Sequence, residues 1–448
     1  MNLHLVLSVL AHRRRLRQRE RWAPGAVATH RARALAELRA HATERSRFYK
    51  RLHRGLEGAP LEALPIVTKA ALMEHFDDVV TDRRLRLADL EAYLAGGDEE
   101  PFRSMYWVAA TSGSSGSRAV VPSNFDEWSA IVASYARANE WAGIRSGLTR
   151  RITIAVVSST TASHQSSRVA QSLRSPFVAT HRFDAGRAIE ETVAALDALR
   201  PDVLVAYASM LRILAEEQLH GRLQIRPKAV NCSSEVLTPH SRALAARAWG
   251  AQPFEVYAAT ETGGIAAECA EHRGMHLFED LVITESVDRA GRPVADGVTG
   301  DRLVVSVLSS RTLPLIRYEI SDRVRISSAR CPCGRPFRLV ECVEGRSGDV
   351  LDLPGASGAR VSVHSSVLHR ALDGLAAVEW QVRQDGDRIA VLVAGPRSTL
   401  DGSLVASAVR AALRGAGAEP VAVDVMIVGS IPTGPAGKRP LVVVARAS

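Results

Sequence analysis

The sequence predicts an α/β protein, with a large N-terminal domain of helix-covered β-sheets and a small, mobile α+β domain at the C-terminal end. Three observations predict it. Between about residues 100 and 280, short apolar runs alternate with segments of helical spacing, the pattern of a parallel sheet covered by helices. After Gly274 the runs take on antiparallel character. A polar, glycine-flanked break, Gly345-Arg346-Ser347-Gly348-Asp349, then precedes a last stretch of helix and strand. At 448 residues the chain exceeds one usual domain and can bury a sizeable core.

The elements follow in order. Residues 1–95 form a helical lead-in to a domain spanning 1–345. Leu35, Leu38, His41, Arg45, Phe48 and Tyr49 recur at helical spacing, Pro65 interrupts, and a helix resumes at Lys69 behind Thr68 as N-cap. Helices are expected over 128–141, 185–199, 210–219 and 239–249. Strands are expected over 151–157, 201–207, 228–232 and 253–257. Ligands of such sheets sit at the carboxyl ends of the strands. A small β subdomain is expected over about 275–345, with strands at 281–285, 302–307, 315–318 and 324–326. The second domain, 346–448, reads as helices at 366–375 and 405–413 with strands at 377–382, 388–393 and 421–427.

Bulk properties exclude several function classes. Hydrophobic content of 46% and charged content of 23% are ordinary for a soluble enzyme. Net charge is +9, from 57 basic and 48 acidic residues, but the arginines are spread and no nucleic-acid motif occurs. The five cysteines are sparse and odd in number, unlike a disulfide framework. The apolar N-terminal run is short, and Arg13-Arg14-Arg15 lies on the wrong side of it for a secretory signal. No run is long enough to span a bilayer. The expectation is a cytoplasmic protein without nucleic-acid or membrane partners; a homodimer is compatible with the sequence.

Several polar turns stand where chemistry belongs. Thr111-Ser112-Gly113-Ser114-Ser115-Gly116 lies between two short strand-like runs. Gly113 and Gly116 let backbone N–H groups converge, the hydroxyls add donors, and such a cradle suits a polyphosphate, although no Walker Gly-Lys-Ser/Thr follows. Tyr257-Ala258-Ala259-Thr260-Glu261 ends a parallel strand and offers a carboxylate for a hard cation and a hydroxyl for a phosphate oxygen; the bland alternative is a capped turn opening a helix. Ser234 and Glu235 end the preceding strand. Asp322 follows Arg317-Tyr318-Glu319-Ile320-Ser321 and can accept from vicinal hydroxyls. Lys438, one of four lysines, sits in the Pro/Gly-rich loop 432–439.

Together and in this order, these motifs resemble the adenylate-forming superfamily of acyl-CoA ligases, most closely its phenylacetate-CoA ligase-like branch. The serine-rich turn, the Tyr257–Glu261 run, the Arg317–Asp322 segment, the Gly345–Asp349 hinge and Gly437-Lys438 each match a family motif. Ala258, Glu319, Ile320-Ser321 and Gly348 depart from it. The resemblance implies ATP-dependent activation of a carboxylic acid, aryl or arylacetyl, as an acyl-adenylate with pyrophosphate release, then transfer to coenzyme A. An amine or carrier thiol is the alternative acceptor. A nucleotide-binding protein without turnover is a reading of another class, against which Lys438 and Glu261 both argue. By the resemblance, Thr111, Ser112, Ser114 and Ser115 hold the β- and γ-phosphates, Glu261 holds Mg²⁺, and Thr260 approaches the α-phosphate. Ser234, Glu235, Tyr257 and Ala258 frame adenine, Asp322 accepts from ribose, and Arg346 braces the same region. Lys438 neutralises the forming anhydride, and the C-terminal domain turns about Asp349.

Cys269, His272, Cys331 and Cys333 complete the expectations. Two close pairs of N/S ligands suit a closed tetrahedral Zn²⁺ site that pins the β subdomain to the sheet, and some members of the resembled branch carry zinc here. His276 is the competing fourth ligand.

Overall fold

The computed structural model describes residues 3–97, 100–111, 118–145, 151–161, 163–172, 177–346, 350–355, 358–372, 379–394, 401–419, 422–432 and 441–444. The lead-in is helical, as expected: α1 (Leu3–Arg19), α2 (Pro24–Arg45), α3 (Arg47–Leu52), α4 (Lys69–Glu74), α5 (Phe76–Val79) and α6 (Leu87–Gly96). Thr68 caps α4 through its side chain, which accepts from Ala71 N. Strands β1 (Trp107–Ala110) and β2 (Val120–Ser123) then form an antiparallel hairpin. They lead into α7 (Phe125–Trp141), which opens three residues before its expected start.

The reason is a capping box: Asn124 accepts from Asp126 N and Glu127 N while the Glu127 carboxylate returns to Asn124 N. That carboxylate is buried and also accepts from Thr312 N at 2.8 Å and from Arg311 N, so one acid caps a helix and anchors a distant loop.

The parallel part follows: β3 (Ile152–Ser158), α8 (Gln165–Ser172), β4 (Val178–Asp184), α9 (Ile189–Leu199), β5 (Val203–Tyr207), α10 (Ala208–Leu219), β6 (Ala229–Ser233), α11 (Pro239–Trp249) and β7 (Phe254–Ala259). Val193, Leu196, Leu211, Leu214 and Ala245 bury α9, α10 and α11 against the sheet.

Beyond β7 come β8 (Gly263–Glu268), β9 (Met275–Leu277), β10 (Val282–Val287), β11 (Arg302–Val307), β12 (Tyr318–Ile320), β13 (Asp322–Ile326) and β14 (Leu339–Arg346). The expected β subdomain is not a separate body here. Strands β13, β14, β9 and β8 extend the parallel strands into one nine-stranded sheet, ordered β13-β14-β9-β8-β7-β6-β5-β3-β4, while β10-β11-β12 form a sheet of three. The lead-in helices pack on this region through Leu38, Phe48, Tyr49, Leu72 and Phe76, with Leu303, Val305 and Tyr318 opposite. A single core therefore joins residues that lie more than 200 apart in sequence.

The C-terminal part contains β15 (Val350–Pro354), β16 (Arg360–His364), α12 (Ser365–Leu372), β17 (Glu379–Asp385), β18 (Arg388–Ala394), α13 (Gly402–Gly415), β19 (Val423–Val428) and β20 (Val442–Val444). Its four-stranded sheet, β19-β18-β17-β20, has its own core of Leu368, Val382, Val391, Val409 and Leu413. Arg212 on α10 meets Glu379 on β17 at 3.2 Å and so joins this part to the large sheet.

Candidate nucleotide and metal sites

Among the described residues, the neck of the serine-rich turn, the Ser234-Glu235 end, the Thr260–Glu261 turn and Asp322 gather around the carboxyl ends of β5, β6 and β7. Thr111 and Ala119 close the neck of the serine-rich turn: Thr111 N donates to Ala119 O at 3.0 Å, and Ala119 N donates to Thr111 Oγ1 at 2.9 Å. Ser112, Gly113, Ser114, Ser115 and Gly116 lie outside the described residues. The neck is fastened to its surroundings by Ala110 N donating to Ser163 O. Two residues on, Gln165 Nε2 donates to Thr260 O at 2.8 Å and its Oε1 accepts from Tyr135 OH. The chain Ala110–Ser163–Gln165–Thr260 thus ties the neck to the Glu261 turn.

That turn does not open a helix. Thr260, Glu261 and Thr262 join β7 to antiparallel β8 as a hairpin. A register shift after Tyr257 bends the strand just before Ala258. Gly263 has φ +73°, and a Cβ on Gly264 would come within 2.8 Å of the Phe278 ring, so side chains here would push β8 off α7. Glu261 Oε1 accepts from Tyr318 OH at 3.0 Å. Tyr318 is fully buried, and burial together with the Glu261 carboxylate raises its phenol well above the usual range, so it stays a donor.

Tyr257 OH donates to Asp322 Oδ2 at 2.6 Å, bringing the β7 end to the first residue of β13. Asp322 in turn lies directly opposite Arg346 in the β13–β14 register. Glu235 uses one carboxylate oxygen to accept from Ser209 N at the start of α10, which fixes the β6 end beside β5. Ser234 holds a left-handed φ of +70°, a strained conformation for a residue other than glycine. Asp349 and Lys438 lie outside the described residues.

A second cluster forms at the far end of β8. Cys269, His276, Cys331 and Cys333 each bring a ligand atom within 4.8 Å of the other three. Cys269 and Cys331 sulfurs are 3.7 Å apart, and Cys333 Sγ is 3.2 Å from His276 Nε2. A tetrahedron of thiolates around zinc has sulfurs about 3.7 Å apart. The Phe337 carbonyl lies 3.3 Å from His276 Nδ1, which orients Nε2 toward the sulfurs. Burial depresses the His276 imidazole to about 4, keeping it neutral.

The expected ligand set is corrected at one position: His276, not His272, joins the three cysteines. His272 sits in the turn after Cys269 with φ +46°, its Nδ1 turned to Glu268 Oε2 at 3.2 Å and its ring against Phe254. Strand β9 instead carries His276 inward, fully buried.

No family model matches the chain. It is 28% identical over 192 residues to the phenylacetate-coenzyme A ligase of Thermus thermophilus, an alignment covering 41% of this chain and 42% of that protein. The Pseudomonas putida phenylacetate-coenzyme A ligase matches to the same extent. The match therefore spans less than half the length of these curated relatives. Among solved structures, 2-hydroxyisobutyryl-CoA ligase in its postadenylation state, bound to an acyl-adenylate, superposes with TM-score 0.73 at 20% identity, over 92% of this chain and 88% of that one. Over those 192 residues the chain is similar to phenylacetate-coenzyme A ligases, and its fold is that of 2-hydroxyisobutyryl-CoA ligase.

The same ligase in its thioesterification state, with adenylate and CoA, gives TM-score 0.62 at 18% identity over 96% of this chain and 92% of that one. An amide bond synthetase from Marinactinospora thermotolerans gives 0.51 at 18% identity over 73% and 66%. The adenylate-forming fold makes several local departures from the motifs legible. Glu319, where the motif has a second arginine, is ion-paired to Arg302 at 2.7 Å across the β11–β12 pair. Arg317 is buried with φ +47° and donates to the carbonyls of Glu62, Leu64 and Gly291, so it braces the lead-in instead of facing the cradle.

Sequence reasoning missed Gln165, Tyr318 and Ser163, whose carbonyl accepts from Ala110 N. Ser163 and Gln165 lie outside every motif, and Tyr318 lies within the Arg317–Asp322 segment but has no role assigned to it there; each acts through a partner distant in sequence. The aromatics Trp128 and Trp141 are core, as their size suggests. Trp128 stacks on Trp107, and Trp141 packs against His276, Phe278 and Phe337.

Proposed function

We propose that the protein is an AMP-forming ligase that activates a carboxylic acid, aromatic or arylacetic, as an acyl-adenylate and passes the acyl group to coenzyme A. One observation carries the reading: hydrogen bonds link the neck of the serine-rich turn, the Thr260–Glu261 turn and the Tyr257–Asp322 pair around the carboxyl ends of one sheet.

A carboxylate is a poor electrophile because its charge and resonance repel nucleophiles. In the first step a carboxylate oxygen attacks the α-phosphorus of ATP and pyrophosphate leaves. Thr111 with Ser112, Gly113, Ser114, Ser115 and Gly116 holds the departing β- and γ-phosphates. Glu261, steadied by the Tyr318 hydroxyl, holds Mg²⁺, which offsets phosphate charge when bound. Thr260 approaches the α-phosphate. Ser234, Glu235, Tyr257 and Ala258 frame adenine, Asp322, oriented by Tyr257, accepts from the ribose hydroxyls, and Arg346 braces the same region. Lys438 stabilises the charge that builds between carboxylate and phosphate. In the second step the thiolate of coenzyme A attacks the carbonyl carbon and AMP leaves, after the C-terminal domain has turned about Asp349. Cys269, His276, Cys331 and Cys333 hold a structural Zn²⁺ that ties β8 and β9 to the loop before β14.

Pyrophosphate release is measured with ATP, Mg²⁺ and a panel of aryl and arylacetic acids, then acyl-CoA by mass. Release with at least one acid, abolished in Lys438→Ala, is expected. ATP binding without release for any acid overturns the ligase reading in favour of a silent nucleotide binder. Release followed by amide and no thioester transfers the second step to an amine.

A further inference from the structure

Helix α1 buries one face and shows leucines on the opposite one. Leu5, Val9 and Leu16 are buried among the side chains of α7, including Trp128 and Val132. Leu3, Leu7 and Leu10 are 57%, 57% and 48% exposed. Spacings of four and three residues put these leucines on one line of a helix, roughly opposite Leu5 and Val9. An ordinary surface helix carries polar residues along that line. The same line continues into Arg14, exposed and flanked by exposed Arg15.

The helix is held rigidly in this attitude. Arg13 and Arg17 both bind Glu140 on α7, and Arg19 reaches Asp280. The leucines are thus presented by a clamped helix and cannot fold back onto the core. Helix α1 contains five arginines and no carboxylate.

We propose that α1 is an interfacial helix that lays the protein on an anionic phospholipid surface. Leu3, Leu7 and Leu10 enter the boundary between headgroups and acyl chains, and Arg14 and Arg15 engage the lipid phosphates. Apolar burial and cationic attraction acting together are what such adsorption requires. No helix among the described residues is long and apolar enough to cross a membrane, so the contact is with one leaflet surface. A second copy of the chain fits the stripe less well. Three leucines on one helix supply far less than the ~800 Å² per partner of a stable interface. A two-fold pairing through them would also bring together two helices that each carry five arginines.

The test is co-sedimentation of the whole chain with vesicles of phosphatidylcholine containing about one-third phosphatidylglycerol, against vesicles of phosphatidylcholine alone. Binding to the anionic vesicles that weakens with salt is expected. Leu7→Ser with Leu10→Ser, and separately Arg14→Glu with Arg15→Glu, should each reduce the vesicle partition coefficient about tenfold or more. Both pairs are exposed, so melting temperature should stay at the wild-type value. Two results overturn the proposal: wild-type protein that remains in the supernatant with both vesicles, or a dimer by light scattering that the leucine changes convert to monomer. The wild-type comparison of the two vesicles stands even where a variant folds poorly.

Discussion

The two ends of β8 face different tasks, although only eight positions separate Glu261 from Cys269. At the first end the chain makes a hairpin turn whose polar groups project from the carboxyl edge of the sheet, with Glu261 steadied by one hydroxyl. At the second end two buried cysteines, a buried imidazole and the half-buried Cys333 gather, and burial pushes the Cys269 thiol up. In the proposed function the first end offers its carboxylate to a ligand, and the second gathers a donor set that fits one metal ion. The difference teaches that donors grouped along one strand do not define one site: what surrounds them decides whether they meet a substrate or staple the fold.

The sharpest way to break this contrast is Glu261→Ala. Adenylate formation, read as pyrophosphate release, should fall by about 100- to 1000-fold, as removal of one preorganised charge-stabilising group does. The melting temperature should hardly move. A large loss of stability instead would make the turn structural.

Next comes the far end. His276→Ala should remove bound metal and cost on the order of 2–4 kcal/mol in denaturant unfolding, through lost coordination and a buried gap. His272→Ala should leave metal content intact. Metal analysis of the purified variants checks both, and equal metal loss in the two would reinstate His272 as a ligand. Chelation should lower the melting temperature of the wild-type protein.

Tyr318→Phe tests the coupling between the turn and the core. It removes one hydrogen bond to a carboxylate, worth about 1.5–3 kcal/mol at most, so adenylate formation should drop by roughly ten- to a hundredfold with Mg²⁺ dependence shifted upward. Unchanged activity would detach Tyr318 from the site.

The smallest effect is a pH dependence away from both ends. His53 is 2% exposed, neither ring nitrogen has a hydrogen-bond partner, and burial with the Arg39 charge nearby lowers its imidazole to about 4. The unfolded chain binds a proton near pH 6.5, the folded one only near 4. His53 therefore favours the fold fully above pH 6.5 and loses that contribution as pH falls toward 4, by roughly 2–3 kcal/mol. Replacing it with Leu should flatten the acid side of a stability–pH curve; an unchanged slope would assign that loss to other groups.

The N-terminal helix carries a similar lesson. From the sequence, its apolar start reads as too short to cross a membrane, and the spanning question ends there. Only the packing reveals that Leu5 and Val9 are spent on α7 while Leu3, Leu7 and Leu10 face outward.

What the sequence by itself determined is local: strand β3, the alternation of helix and strand from α9 to β7, the Thr68 cap, the serine-rich hairpin connection and the polar turns at strand ends, while α8 and β4 are not among the expected elements. Spacing, glycine and capping chemistry act over a few residues, so they can be read along the chain. What only the tertiary structure decided is partnership. The single sheet shared by β7 and β14, the Tyr257–Asp322 and Tyr318–Glu261 bonds, and the choice of His276 over His272 all join residues far apart in sequence or on opposite sides of a turn. Such pairings are selected by burial, because a polar group taken out of water must find a partner inside, and the sequence names the candidates without saying which of them will be within reach.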